Sequence, residues 1–323
     1  MGQWSGIELE GLVLHSERLT LRPWQPGDAA TVQAMLADER IHRHLLLPWP
    51  YTASDARSFV TEHGLAGRVA GSRLDCAIAE SSTGRLVGSA TLELPQAGAD
   101  RTASAEIGYW LAVPEWGRGY ATEATRTLAR FGLGNGLPRI QIRSEVPNAA
   151  SAAVSLRAGF RFEAISRASL RGRDGPLDAA VFARTATDPD APVEPAWPPL
   201  AELSDGVVTL REAGPEDWPV LLAEANNDAS LQWGFSAQPM TEATARQRAN
   251  WAGLGRLISP QNALLLICDA ASGAGAGILI LRQSGPPGVV AVGYGVVPEF
   301  RGRGFTTRAL RLLADWAFGQ TPT

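Results

Sequence analysis

Short runs of alternating hydrophobic and polar residues, separated by runs with helical spacing, fill most of the first 185 residues of the chain. Alternation is typical of strands, and apolar residues three to four positions apart are typical of helices. The alternating runs predict strands over residues 19–22, 76–80, 85–94, 104–113, 139–146, 162–171 and 179–184. Helical spacing predicts helices over residues 28–38, 122–133 and 149–158, and a further helix after a near capping box at Thr52 and Asp55.

The same order of patterns occurs a second time along the chain. The matching segments are 18–28 with 207–217, 82–92 with 271–281, and 108–131 with 293–316. The first two pairs share an offset of 189 residues, and the third has an offset of 185. Copies of about 120 residues indicate duplicated domains, because the period of a solenoid is shorter.

The repeats predict the domain organisation. We expect a complete domain over residues 1–186, a Pro-rich linker over 187–205 and a second domain over 206–323. Proline makes such a linker extended and stiff. The second domain has no counterpart of residues 139–184 in the sequence, so we expect it to be incomplete at its C-terminus.

Composition excludes several classes of protein. Hydrophobic residues make up 45% of the 323 residues, and the net charge of −4 offers no basic surface for nucleic acid. No stretch approaches the roughly 18 apolar residues of a membrane span. The N-terminus also lacks the basic and apolar regions of a secretory signal. We therefore expect a cytoplasmic protein without nucleic-acid or membrane partners.

Two further features of the composition narrow the chemistry. All 29 basic residues are arginine, and the lysine that a P-loop or a pyridoxal enzyme needs is absent, so both classes are excluded. Cys76 and Cys268 lie in apolar runs, and we expect buried free thiols in a reducing compartment. Without CxxC, HExxH or clustered histidines, we expect no metal site.

Each copy carries a Gly-Arg-Gly turn between a predicted strand and a predicted helix, in EWGRGYATEA at 115–124 and FRGRGFTTRA at 300–309. Such a turn directs backbone N–H groups into one concavity, and the helix N-terminus adds a partial positive charge, so the turn suits a pyrophosphate. A Rossmann site requires G-x-G-x-x-G opening a βαβ unit. Here the third small residue comes one position early and a meander precedes the turn, which disfavours a dinucleotide fold.

These motifs resemble the GNAT superfamily of N-acetyltransferases, whose signature is [Gln/Arg]-x-x-Gly-x-[Gly/Ala]. The second copy fits through Arg301, Gly304 and Thr306, and the first through Gly119 and Ala121 with a tryptophan in the first position. The strings IGYWL…GRGYATEA, LPWPYT and PNAAS…AGFRFE are similar to the branch that includes ribosomal-protein N-terminal acetyltransferases. The resemblance spans nearly all of the first copy and two thirds of the second.

The resemblance implies an α+β fold of two GNAT-like domains, each a mixed, mostly antiparallel sheet with flanking helices. It implies acetyl-CoA as cosubstrate, with pantetheine lying between the strands at 104–113 and 139–146. The cofactor-binding residues that it implies are Leu111, Ala112, Val113, Trp116, Gly117, Arg118, Gly119, Tyr120, Ala121 and Asn148 in the first copy, and Arg301, Gly302, Arg303, Gly304, Phe305 and Thr306 in the second. The arginines of both turns are equally compatible with solvated side chains.

Three residues of the first copy are candidates for catalysis. Relatives place a carboxylate at the position of Glu106, where it acts as base on the amine; the alternative is a solvated strand residue, and the second copy has Ala291 there. Asn148 fits a helix N-cap and also a contact to pantetheine or acceptor. Relatives place a tyrosine, the thiolate acid, at the position of Ser155, so Ser151 or an ordered water is the expected substitute.

Aromatic residues between the first two predicted helices mark the expected acceptor pocket. The resemblance places Trp49 and Tyr51 there as substrate contacts, although ordinary aromatic packing explains them equally well. We expect the nearby His42 and His44 to be mostly surface residues; the alternative is a contact with the acceptor.

Two functions of different classes follow from these observations. In the first, the N-terminal domain transfers an acetyl group from acetyl-CoA to a primary amine of a protein N-terminus or a small molecule, and the second domain is a degenerate scaffold. In the second, the chain is a CoA-binding regulatory or structural module without turnover. Because uncovered strand edges attract partners, we expect the second sheet to pack against the first domain or a second copy, as in a homodimer.

Overall fold

A computed structural model describes residues 8–95, 103–233, 238–261, 263–286 and 288–319. The chain forms two compact units, one reaching to Glu145 and including Ala150–Glu194, the other comprising Val146–Ala149 and the chain from Pro195. The domain limits deduced from the repeats stay predictions. The first seven residues, where the expectation about a secretory signal falls, lie outside the described residues.

The first unit is built on an eight-stranded sheet in the order β1-β2-β3-β4-β5-β6-β8-β7. Its strands are β1 (Leu14–His15), β2 (Leu19–Arg22), β3 (Arg73–Glu80), β4 (Leu86–Glu93), β5 (Ala105–Leu111), β6 (Arg139–Glu145), β7 (Arg161–Arg171) and β8 (Pro176–Thr185). Neighbouring strands are antiparallel except β5 and β6, which pair in parallel at Ala105–Ile140 and Glu106–Gln141. Beyond these pairs the two strands separate, and we call the gap between them the fork.

In the described part of the chain, the α-helices that accompany this sheet are α1 (Ala29–Leu36), α2 (Ala53–Ser58), α3 (Gly64–Val69), α4 (Tyr120–Gly134) and α5 (Ala149–Arg157). The capping box expected at the start of α2 is confirmed, since the Asp55 N–H donates to the Thr52 hydroxyl and the Thr52 N–H donates to the Asp55 carboxylate. Apolar side chains of α1 and α2 form a core cluster with Ala77 and Leu86 of the sheet, partly covered by Trp110.

The second unit contains a five-stranded sheet in the order β13-β12-β11-β10-β9, antiparallel throughout its described strands. The strands are β9 (Leu203–Ser204), β10 (Val208–Glu212), β11 (Ala263–Asp269), β12 (Gly275–Gln283) and β13 (Val290–Val296). The helices are α6 (Trp218–Ala225), α7 (Asp228–Trp233), α8 (Glu242–Ile258) and α9 (Phe305–Gly319). Alternate side chains of the strands enter two core clusters, one containing residues of α9 and the other residues of α6 and α8.

One ion pair shows how closely the two units repeat each other. The Arg22 guanidinium donates two bonds of 2.8 Å to the Asp28 carboxylate, and Arg211 makes the same two bonds to Asp217. Each aspartate also accepts a backbone N–H three residues before it. The repeated contact supports the α+β fold of two related domains predicted from the sequence, which is confirmed in its sheets and flanking helices.

Two smaller expectations also concern the fold. Cys76 and Cys268 are buried free thiols, as predicted, and burial raises the pKa of Cys76 to about 11. Among the described helices, none has the length and apolar character needed to cross a membrane.

Candidate functional site

The first Gly-Arg-Gly turn joins the end of β5 to the start of α4. Gly117 and Gly119 have φ of 76° and 81°, a left-handed conformation that strongly favours glycine. The Ala112 N–H donates to the Val87 carbonyl at 3.0 Å and fixes the entry to the turn. Helix α4 begins directly after Gly119, at Tyr120.

The backbone of this turn presents unused donors. No hydrogen bond between described residues engages the N–H groups of Gly117, Arg118 or Gly119. The first N–H groups of α4 have no intrahelical partner either, because no helical turn precedes them. The 15-residue helix adds a positive dipole end. The turn therefore fits the pyrophosphate of CoA without a lysine.

Trp116 occupies the signature position where the family pattern has Gln or Arg, and its indole N–H donates to the Leu111 carbonyl at 3.0 Å. In the second turn Arg301 fills that position, and its Nε donates to the corresponding Val296 carbonyl at 3.1 Å. Both side chains thus tie the turn to the end of the preceding strand. Although Trp116 departs from the signature, it makes the same hydrogen bond to the strand that Arg301 makes in the second turn.

A network of charged residues lies around the first turn. The Tyr120 hydroxyl donates to the Glu80 carboxylate, Glu80 pairs with Arg85, and Arg85 pairs with the buried Glu115. The hydrogen bond from Tyr120, followed by that from Arg85, lowers the pKa of Glu80 to about 2. Arg118 also contacts Glu115, at 3.3 Å, so its guanidinium is held beside the turn.

The second turn has the same backbone shape in different surroundings. Gly302 and Gly304 have φ of 71° and 77°. The Arg303 guanidinium lies over the rings of Phe300 and Phe305, at 5.1 Å from each centroid, and 3.5 Å from Asp269. Aromatic packing here takes the place of the Glu115 and Tyr120 contacts.

Glu106 stands where β5 and β6 begin to separate. Its Oε2 accepts from the Arg143 Nε at 2.8 Å and from the Gln141 amide at 3.1 Å, both on β6. The carboxylate therefore bridges the two strands at the base of the fork. Two residues further along β5, no described residue beyond the chain neighbours of Gly108 lies within 4 Å of the position that a Cβ on Gly108 would occupy, so this face of the fork is open in the described part of the chain.

The opposite face of β5 carries a residue that the sequence analysis missed. The Tyr109 hydroxyl lies 2.9 Å from the Ser151 hydroxyl and donates to the Ser151 carbonyl at 3.2 Å. Burial raises the pKa of Tyr109 to about 12. Ser155 is buried one turn further along α5, and its hydroxyl donates to the Ser151 carbonyl. The alternation of β5 in IGYWL places Tyr109 on this face, but only the fold brings it to Ser151.

The remaining predicted residues fall into two groups. Leu111, Ala112 and Val113 lead from β5 into the first turn, and Asn148 lies between β6 and α5 along the chain. Near the predicted acceptor pocket, Tyr51 is buried in the α1–α2 core, whereas Trp49 is about half exposed. The pocket roles of the two aromatic residues stay predictions.

The expectation of a surface position for His42 is wrong. His42 is 6% exposed, its Nε2 lies 2.7 Å from the Leu36 carbonyl, and its ring packs edge-on against Trp49. The turn that carries His42 follows α1 and brings the imidazole to the carbonyl of Leu36, the last residue of that helix. His44, partly exposed, places Nδ1 2.7 Å from Oε2 of Glu145 at the end of β6. The sequence contains no signal for this pair, because 101 residues separate its members.

A donor-rich glycine turn beside a fork in a mixed sheet is the arrangement that the resemblance to acyl-CoA-dependent transferases implies. The family model of the acetyltransferase (GNAT) domain matches residues 18–161 and 208–323. The chain therefore belongs to the GNAT acetyltransferase family, as the resemblance predicted, and it is an acetyl-CoA-dependent N-acetyltransferase with two family segments in tandem.

Individual relatives match about half of the chain. An uncharacterized N-acetyltransferase, p20, of Bacillus licheniformis is 26% identical over 174 residues, which are 52% of this chain and 93% of the relative. A GNAT-family acetyltransferase structure from Bacillus anthracis has 20% identity and a TM-score of 0.47, covering 55% of this chain and all of its own. The structure of Mycobacterium smegmatis RimJ in complex with CoA-disulfide has 29% identity and a TM-score of 0.46, covering 52% of this chain and 82% of its own.

Proposed function

We propose that the first domain transfers an acetyl group from acetyl-CoA to a primary amine, either a protein N-terminus or a small amine, by direct attack in a ternary complex. The observation that carries the proposal is the combination, in one unit, of the donor-rich turn at Gly117 and Gly119 with an open fork between β5 and β6. When bound, acetyl-CoA supplies the thioester whose carbonyl carbon the amine nitrogen attacks.

Binding falls to the backbone of the first turn and to the strand that leads into it. The N–H groups of Gly117 to Ala121 hold the pyrophosphate; the Trp116 N–H, expected from the sequence to join them, instead donates to the Val113 carbonyl at 3.2 Å. The Ala112 N–H is likewise engaged by Val87, so the Val113 N–H and the carbonyls of Leu111 to Val113 are the groups offered to pantetheine across the fork. Arg118, fixed beside Glu115, adds positive charge at the phosphates. Positioning both substrates in the fork supplies most of the acceleration, since it converts a bimolecular reaction into an effectively unimolecular one.

Proton transfer is the second requirement, because the acceptor amine must lose a proton and the departing sulfur must gain one. Glu106 is the base that the family resemblance implies, and its carboxylate borders the open face above Gly108. Ser151, hydrogen-bonded to the Tyr109 hydroxyl, is the proton donor on the opposite face. Asn148 is proposed, on the resemblance alone, to contact pantetheine or the acceptor.

A second candidate function concerns the second domain alone. Its turn keeps the glycine conformations and the Arg301 bond to Val296, which favours binding of CoA through residues Arg301 to Thr306. Its strand β13 carries Ala291 at the position where β5 carries Glu106. We propose that this domain acts as a structural or regulatory module without turnover.

The experiment that tests the function combines calorimetry of acetyl-CoA binding with detection of free thiol across a panel of primary amines. We expect binding together with thiol release for at least one amine. Tight binding without thiol release for any amine would overturn the enzyme assignment of the first domain and leave the binding-module alternative. Full activity of Glu106→Gln would remove Glu106 as the base.

A further inference from the structure

The pair formed by His44 and Glu145 stands on the same side of the sheet as Glu106. Parallel pairing of Glu106 with Gln141 places Glu106, Gly108 and Trp110 of β5 on one face with Gln141, Arg143 and Glu145 of β6. At about 3.3 Å per residue, that register puts Arg143 level with Gly108 and Glu145 level with Trp110. His44 therefore borders the open part of the fork, beyond the strand bridge at Glu106.

The orientation of the His44 ring follows from its partner. An ionised carboxylate is only an acceptor, so Nδ1, 2.7 Å from Oε2 of Glu145, must carry the hydrogen of that bond. In the neutral imidazole the proton on Nδ1 leaves Nε2 with a lone pair, and no described residue bonds to Nε2. A carboxylate behind an imidazole in this way holds the ring and stabilises the imidazolium that forms when Nε2 takes a proton.

The loop that carries His44 is fixed from a second side. The guanidinium of Arg173, in the turn between β7 and β8, donates to the Leu45 carbonyl at 3.1 Å and to the Leu47 carbonyl at 3.3 Å. The side chains of His44 and Glu145 remain 28% and 23% exposed. The imidazole is therefore held in place and still reachable by a substrate that enters the fork.

The contacts of Glu106 point to a different role for that carboxylate. Its Oε2 accepts from two donors on β6, and the nearer donor is the positively charged Arg143. These contacts suit a residue that holds the two strands at the start of the fork. The His44 imidazole, by contrast, has an acceptor nitrogen to which no donor among the described residues bonds.

From this geometry, and resting on the proposed acetyl transfer, we infer that His44, oriented by Glu145, is the general base of the first domain. Nε2 of His44 takes a proton from the acceptor ammonium, and the freed amine nitrogen bonds to the acetyl carbon as the carbon–sulfur bond breaks. The departing sulfur gains a proton from the Ser151 hydroxyl, the attacking nitrogen loses its second proton to solvent as the amide forms, and Ser151 regains a proton from solvent. The products are the amide and the free thiol, and the imidazolium returns its proton to solvent.

The test compares thiol release by the full chain for wild type, His44→Gln, Glu145→Gln and Glu106→Gln, with His63→Gln as the matched control. His63 is an exposed histidine between α2 and α3, and its hydrogen bonds are made with Ser58 and Arg73. Loss of a general base lowers rates by about 10²–10⁴-fold. We expect kcat of His44→Gln to fall about 100-fold or more with KM for acetyl-CoA unchanged, and Glu145→Gln to lose about tenfold.

A chemical-rescue experiment separates a base from a packing residue. We expect added imidazole to restore part of the kcat of His44→Ala, because a free base can occupy the space of the missing ring, whereas it has no effect on His63→Gln. A structural role for His44 predicts lowered thermal stability and no rescue.

The outcomes are decisive for both proposals. If wild type is active and His44→Gln keeps a kcat within threefold of it, the inference about His44 is overturned and the proposed function stands. The same holds if imidazole fails to rescue His44→Ala, or if Glu106→Gln alone abolishes activity. If wild type releases no thiol with any amine, the proposed function fails and the assignment of His44 fails with it.

Discussion

The two Gly-Arg-Gly turns share a backbone and differ in nearly everything around it. Their glycines have φ of 76° and 81° in the first domain and 71° and 77° in the second. In each turn, a side-chain N–H donates to the carbonyl of the last residue of the preceding strand. The donor is Trp116 in the first domain and Arg301 in the second. Around them, a charged network in the first domain corresponds to aromatic packing in the second.

The comparison shows that two features are common to both turns: two glycines in the left-handed conformation and one side-chain hydrogen bond to a carbonyl of the preceding strand. The acetyl transfer that we propose for the first domain needs the neighbouring strand as well. In the first domain β6 supplies Arg143 and Glu145 and opens the fork, whereas the described part of the second sheet ends at β13. The four predictions below test how far the two turns differ in function while agreeing in structure.

The largest expected effect concerns the glycines themselves. A β-branched side chain in the left-handed region costs about 1–3 kcal/mol, or roughly 5- to 150-fold in rate. We expect Gly119→Val to reduce acetyl transfer by up to that amount through KM for acetyl-CoA, and Gly304→Val to leave turnover unchanged. Steady-state kinetics of both variants measure this. Equal losses would show that both turns serve the same reaction.

The repeated ion pair should stabilise both domains alike. Lysine cannot make the two parallel bonds of Arg22 to Asp28 or of Arg211 to Asp217, so each Arg→Lys change should destabilise the chain by about 1–2 kcal/mol. Urea unfolding measures the loss. Arg40→Lys, at an exposed pair with Asp38, serves as control and should stay near wild type. A large difference between Arg22→Lys and Arg211→Lys would contradict equivalent folds.

The indole of Trp116 should contribute about one hydrogen bond to the first turn. We expect Trp116→Phe to lose about 1 kcal/mol, seen as roughly a fivefold rise in KM for acetyl-CoA. Trp116→Arg should stay close to wild type, because Arg301 makes the same bond in the second domain. If arginine behaves no better than phenylalanine, the bond to Leu111 is not what holds the turn.

The smallest effect is expected in acid. The folded-state pKa of Glu80 is about 2, below its ordinary value of 4.5, so its contribution to stability is present above pH 4.5 and is lost as pH falls toward 2. Tyr120→Phe removes the main cause of the lowered pKa and should make urea unfolding less sensitive to pH over that window. Tyr294→Phe, exposed on β13, is the control and should follow wild type. If the stability of Tyr120→Phe depends on pH in the same way as that of wild type, Tyr120 is not the cause of the lowered pKa of Glu80.

Many strands and helices could be predicted from the sequence, because hydrophobic residues alternate in the strands and recur every three to four positions in the helices. The predicted helix over 149–158 is observed as Ala149–Arg157, and the strand over 139–146 as Arg139–Glu145. The two turns were predicted from the Gly-Arg-Gly stretches, and the structure adds that their glycines are left-handed. The surface position expected for His42 was wrong because burial depends on how the loop folds over α1, which no local pattern encodes.

The sequence by itself determined the duplication, the family and the two glycine turns, because repeats, spacing and backbone conformational preference are local properties of the chain. The tertiary structure alone decided which side chains meet at the fork. Tyr109 reaches Ser151, Glu106 reaches Arg143 and His44 reaches Glu145 across 42, 37 and 101 residues. Such contacts arise from strand register and loop packing, so the same residues read along the chain show no sign of them.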